Sequence, residues 1–144
     1  MSNLAVLYQA QGRLDLAEPL FVECLDKERA KLGAGHPETL TSMSDLGSCL
    51  RDTGRLAEAR AMLEACVDAA GRVLGAEHPD TLRFSDNLAY CLLKQGGGDA
   101  VEAERRLSAL QQSMERVLGP EHPHTQRVRE RLAEARAALD PLPA

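Results

Sequence analysis

The chain repeats itself, and that constrains its fold more than any local feature. "LGAGHPETL" at Leu32 to Leu40 returns as "LGAEHPDTL" at Leu74 to Leu82 and as "LGPEHPHTQ" at Leu118 to Gln126. His36-Pro37 and His78-Pro79 are 42 residues apart, and the same offset carries Gly12-Arg13-Leu14 onto Gly54-Arg55-Leu56 and Ala17 onto Ala59. It also carries Cys24 onto Cys66 and Cys49 onto Cys91. Past Gly96 the offset becomes 44, because "GGGD" holds two extra residues and both flanks stay in register, which places the insertion in a loop. A unit of this length that recurs must fold alike each time and cover its neighbour's apolar face.

Each unit reads as two helices. Leu40, Met43, Leu46, Gly47 and Leu50 recur at steps of three and four, and after "RDTGR" a second such pattern runs through Leu56, Ala59, Leu63, Cys66, Val67 and Leu74. The turn at Gly54 is short enough to force an antiparallel pair. The spacing predicts seven helices, near residues 2–11, 14–32, 38–52, 56–74, 80–95, 99–118 and 124–139. Asp99 and Glu102 have the spacing of a capping box for the sixth. The fold class is all-α, an α-solenoid of stacked antiparallel helix pairs. It forms a single domain over residues 1–144, with repeats at about 1–36, 37–78 and 79–122 and a capping helix at 124–139. That last segment, "RVRERLAEARAALDPLPA", is charged and stops in Pro141 and Pro143, as a solenoid's final open face requires.

Composition excludes several classes. Hydrophobic residues at 44% and charged ones at 27% are too apolar a mix for disorder, and 3% aromatics with no Trp leans the chain towards helix. The net charge is −5 and Lys and Arg lie scattered among acids, so nucleic acid is not an expected partner. No apolar stretch approaches the roughly 20 residues that cross a bilayer, and "MSNLAVLYQAQG" lacks a basic segment followed by a long apolar one. The expectation is a soluble, cytoplasmic protein with no membrane partner.

Neither catalysis nor a cofactor is expected. Four cysteines invite a disulfide or zinc reading, yet none forms a CxxC pair, and two repeat positions sampled twice describe small buried packing residues. "GGG" lacks the Lys-Ser/Thr of a phosphate loop. The repeated His-Pro histidines stand one repeat apart and do not converge, whereas His122 and His124 allow at most a surface metal contact. No Ser-His-Asp arrangement emerges, and Glu102 with Arg106 has the spacing of a helix-surface ion pair. In the connector, Gly75 suits a left-handed turn, Pro79 the first turn of the next helix, Asp80 its positive end, and His78 a hydrogen-bonding place near the cap.

These residues resemble tetratricopeptide repeats, specifically the 42-residue kind of kinesin light chains. Leu4, Ala5, Tyr8, Gly12, Ala17 and Phe21 have the spacing of that family's packing residues in the first repeat. Leu46, Gly47, Leu50, Gly54, Ala59 and Leu63 have it in the second, and Leu88, Ala89, Leu92, Gly96, Ala103 and Leu107 in the third. The resemblance covers nearly the whole chain, and "LGxxHPxT" marks the longer subtype. It implies a right-handed superhelix and a non-catalytic module that binds a peptide or protein segment in the concave groove lined by the first helix of each pair. Two departures stand out. Residue 1 falls inside the first helix of a repeat, so the chain is expected either to continue a longer array or to self-associate through exposed Leu4, Val6 and Leu7. The second lies in the groove.

In the resembling family, Asn side chains beside the "NLA" motif hold the ligand's backbone, since an amide both donates and accepts. Carried over, those positions are Asn3 and Asn87, while the middle repeat has Asp45, which only accepts. Helical spacing from Asn87 adds Arg83, Asp86, Tyr90 and Lys94; from Asp45 it adds Thr41, Ser44, Ser48, Arg51 and Asp52. The last helix offers Arg127, Arg131 and Glu134. The candidate groove is therefore Asn3, Asp45, Ser48, Arg83, Asp86, Asn87, Tyr90, Lys94, Arg127 and Arg131. Its basic half predicts an acidic ligand, with Tyr90 as an apolar contact.

Overall fold

The computed structural model describes residues 2–139, and the Pro141 and Pro143 stop lies outside them. Seven helices follow one another: α1 (Ser2–Ala10), α2 (Leu14–Leu32), α3 (Pro37–Asp52), α4 (Leu56–Val73), α5 (Pro79–Gln95), α6 (Gly98–Val117) and α7 (Pro123–Leu139). Every boundary lies within one residue of the periodicity's expectation. The differences at the starts of α3, α5 and α7 have one cause: Pro is the first helical residue, where its missing N–H leaves nothing unpaired.

The connector builds each joint the same way. Gly33, Gly75 and Gly119 sit at φ values of 93°, 100° and 92°, a left-handed backbone that a side chain would strain. His36 and His78 are N-caps in extended conformation. The Nδ1 atoms of His36, His78 and His122 accept the backbone N–H two residues on, at 3.2, 3.0 and 3.1 Å. Histidine here performs the work usually given to Ser or Asp. The repeated threonines, Thr39, Thr81 and Thr125, are buried; Thr39 donates back to the Gly33 carbonyl at 2.8 Å.

Consecutive helices pack as antiparallel pairs, and each of α3, α5 and α7 also packs on the helix before it. The first helices additionally lie backbone to backbone, α1 with α3, α3 with α5 and α5 with α7, whereas the backbones of α2, α4 and α6 stand apart and α4 meets α6 through the Arg60 and Asp99 side chains. An inner row in contact and an outer row splayed apart give the stack its curvature, with α1, α3, α5 and α7 on the inside. One apolar cluster runs from Ala5 and Phe21 through Leu40, Leu63 and Phe84 to Leu92; a second joins Leu82, Leu107 and Met114 to Val128 and Leu132 of α7. All four cysteines are buried and unbridged; Cys49, Cys66 and Cys91 belong to the first cluster, and burial pushes the Cys66 thiol up to about 12, so it carries no thiolate near neutral pH.

The capping box does not form. α6 is entered through Gly97 with no side-chain cap, and Asp99 instead accepts from Arg60 Nη1 of α4 at 2.9 Å. Glu102 is likewise engaged elsewhere, by Arg105 and Arg106 at 2.7 and 2.8 Å. Side-chain partners across the joint and along the helix outcompete the local backbone.

Candidate functional site: the inner groove

The inner face is built by α1, α3, α5 and α7, and its side chains differ in how open they are. Asn3, Lys94 and Arg127 are exposed, Asp45, Arg83, Asn87 and Tyr90 are half-buried, and Ser48 is buried. Asn87 is already engaged, its Nδ2 donating to Ser44 Oγ of α3 at 2.8 Å. That bond holds the amide across the joint and leaves its oxygen and second hydrogen for a ligand.

Asp86 departs from the expectation of an open groove position. It is 2% exposed, and its Oδ2 lies 2.6 Å from Nη1 of Arg131. The pair ties α5 to α7 inside the groove wall, so these two residues face each other and not a ligand. Helical spacing correctly put both on the inner face. It gave no sign that α7 comes close enough for one to neutralise the other.

Tyr90 is the centre of this region. Arg131, Arg51 and Lys94 lie 4.0, 4.7 and 5.0 Å from its ring centroid, bringing cations from α3, α5 and α7 onto one aromatic face system. Arg51 is further held by Asp52, whose other oxygen accepts from Gln9 Nε2 of α1 at 3.0 Å. Four inner helices are thereby linked through polar side chains. Beside Tyr90 opens a hollow of about 500 Å³ lined by Arg51, Asp52, Gly54, Leu56, Tyr90 and Lys94. Near the other ends of α3 and α5 a second, of about 310 Å³, is lined by Glu28, Pro37, Glu38, Thr41, Ser42 and Asp80.

Asp45 sits between opposing influences. Burial pushes its carboxyl up to about 6, Arg83 of α5 pulls it down, and Glu28 of α2 pushes it up again. Arg83 also reaches Asp80 at 3.3 Å. His124 carries a lowered pKa, from burial first and then from Arg127, His122 and Arg83; its ring stacks on His122 at 5.2 Å between centroids. Among the described residues no group of three or more His, Cys, Asp or Glu is placed to hold a metal ion.

The four cations read as an acid-binding set are therefore unequal. Arg131 and Arg83 have carboxylate partners in Asp86 and Asp80, while Lys94 and Arg127 have none among the described residues. Sequence reasoning put Arg51 on the inner face but gave it no role. Its closeness to Tyr90 follows from their places near the ends of adjacent inner helices.

The tetratricopeptide repeat model matches residues 1–70 and 44–97. Two crystal structures of nearly identical TPR-like repeats of a Podosopora anserina kinesin light chain, one of them a single-substitution variant, superpose with TM-scores of 0.85 and 0.86. Each is 28% identical in sequence, over 95% of this chain and 64% of theirs. The chain thus spans less than two thirds of the length of these solved repeats. No curated protein matches it.

Proposed function

The chain belongs to the tetratricopeptide repeat family, whose repeats mediate protein–protein interaction, and from that premise we propose that it is a non-catalytic module binding a peptide or partner segment in its inner groove. The carrying observation is the inner face itself: a continuous row of four helices whose polar groups, half-buried Asn87 and Asp45 and exposed Lys94 and Arg127, keep hydrogen-bonding and charge capacity beyond their internal contacts. An extended concave surface of this kind meets a segment along its length. Asn87 supplies donor and acceptor to a ligand backbone, and Asp45 accepts an amide N–H or a basic group.

The ligand's acidic character rests on Lys94 and Arg127, with Arg83 shared. Partner capture with wild type and with Asn87→Ala plus Arg83→Glu tests the surface: a partner retained equally by both does not use the groove. Affinity measured from low to high ionic strength tests the charge. It is expected to fall with salt, and a flat dependence would remove the acidic ligand while leaving the groove in place.

A further inference from the structure

We propose that the outer face of α2 carries a second docking site, independent of the groove, for a basic segment of a partner protein in which an apolar side chain lies between two Lys or Arg residues. A hollow of about 510 Å³ opens there, on the side of the stack opposite the groove. Pro19 and Val22 line its middle, Val22 being 40% exposed, and Asp15, Glu18, Glu23 and Asp26 stand around them. Glu18 is held by Arg55 of the next pair and Glu23 by Lys27. Asp15 and Asp26 are exposed and have no cation partner among the described residues.

The openness of this face does not depend on what precedes α1. The positions equivalent to Asp15, Pro19 and Asp26 are Ala57, Ala61 and Asp68 in α4 and Val101, Arg105 and Gln112 in α6, and all of these are exposed although a complete helix pair stands ahead of each helix. What is particular to α2 is its chemistry. Val22 gives way to Glu64 and Ser108, and Glu23 to Ala65 and Ala109, so an apolar centre ringed by acids occurs in neither α4 nor α6.

Pro19 marks the same spot in the backbone. It stands past the first turn of α2, where proline has the lowest helix propensity of any residue, and it has no N–H to give the Asp15 carbonyl one turn back. That carbonyl keeps its acceptor capacity beside the Asp15 carboxylate. A lysine or arginine, with several N–H donors and a positive charge, serves both. Asp15 and Asp26 are about 16 Å apart along the helix axis at the α-helical rise. An extended segment covers that span in about five residues, which leaves an apolar side chain between its two cations to lie over Pro19 and Val22. An acidic occupant would meet carboxylates on every side, which sets this face apart from the basic half of the groove.

The test is an NMR titration of the isotope-labelled chain with a hexapeptide capped at both ends, Lys-Ser-Leu-Val-Ser-Arg. Saturable amide shifts are expected to centre on Asp15 to Lys27. Asp15→Asn plus Asp26→Asn is expected to weaken binding at least about tenfold, since two hydrogen bonds lose their charge. Asp68→Asn plus Glu121→Gln, which changes the net charge equally, and the groove variant Asn87→Ala plus Arg83→Glu are expected not to weaken it. Pro19→Ala restores the N–H, and is expected to raise the melting temperature yet lower the affinity about threefold, the worth of one neutral hydrogen bond. An unchanged affinity there would overturn the carbonyl's part. Equal losses in both charge variants would reduce the attraction to net charge, shifts confined to α3, α5 and α7 would put the peptide in the groove, and no shifts at all would leave the face without this ligand; each overturns the proposal. So would a concentration-dependent dimer abolished by Asp15→Asn plus Asp26→Asn, which would give the face to a second copy. The groove is tested by other variants, so the two proposals can fail separately.

Discussion

At the scale of single residues, Asp45 is the most informative side chain, because it places a carboxylate where the flanking repeats have Asn3 and Asn87. Its pKa of about 6 exceeds the ordinary 3.8, so the folded chain binds the proton more tightly than the unfolded one. That contribution to stability is fully present below pH about 4 and is lost as pH rises through about 6. Asp45→Asn is therefore expected to stabilise the chain at pH 7, by up to about 3 kcal/mol for a shift of this size, with the gain vanishing near pH 4. Urea denaturation across that range measures it, and a gain independent of pH would refute the account. His78 offers a second case, since its Nδ1 caps α5. His78→Ala is expected to cost about 1 kcal/mol and His78→Asn, which keeps an acceptor, much less. Thermal melts of the two variants separate capping from mere space-filling.

At the scale of elements, the contact between α3 and α4 is unusually close. A Cβ on Gly47 would lie 2.7 Å from Cγ and Cδ2 of Leu63, although Ala5 and Ala89 fill the same position in the flanking repeats. Gly47→Ala is expected to lose about 1–3 kcal/mol to overpacking, outweighing a helix-propensity gain of about 1 kcal/mol. A raised urea midpoint would show that Leu63 repacks freely. The α5–α7 tie is harsher. Arg131→Ala leaves Asp86 charged in a site 2% exposed and is expected to cost about 3–5 kcal/mol, whereas Asp86→Leu with Arg131→Met recovers most of it. Equal loss in the single and double variants would mean that packing, and not charge, is what the pair supplies. Elements were the most legible level in the sequence: period and connectors located all seven helices, because each boundary is fixed by residues within a turn of it. Asp99 and Glu102 were misread for the complementary reason, since their partners include Arg60, 39 residues away.

At the scale of the whole molecule, repetition made the solenoid legible and the groove only partly so. An offset of 42 states which positions are equivalent, and hence which helices line the inside. It does not state how far a side chain reaches across a joint. Arg131 stands at the repeat position of Asn87, yet the ion pair with Asp86 and the stacking on Tyr90 depend on α7 lying against α5, a separation no local pattern encodes. The wide spacing of the α2, α4 and α6 backbones, bridged between α4 and α6 by the Arg60 and Asp99 side chains, has a mechanical consequence. With the inner helices touching and the outer ones apart, the stack resembles a hand fan held at its pivot. Closing the outer ribs flattens the arc with little resistance, while opening them further compresses inner side chains already in contact. Such a body yields in one direction and stiffens in the other, so a segment seated inside it meets a wall that can straighten along its length more readily than it can curl tighter.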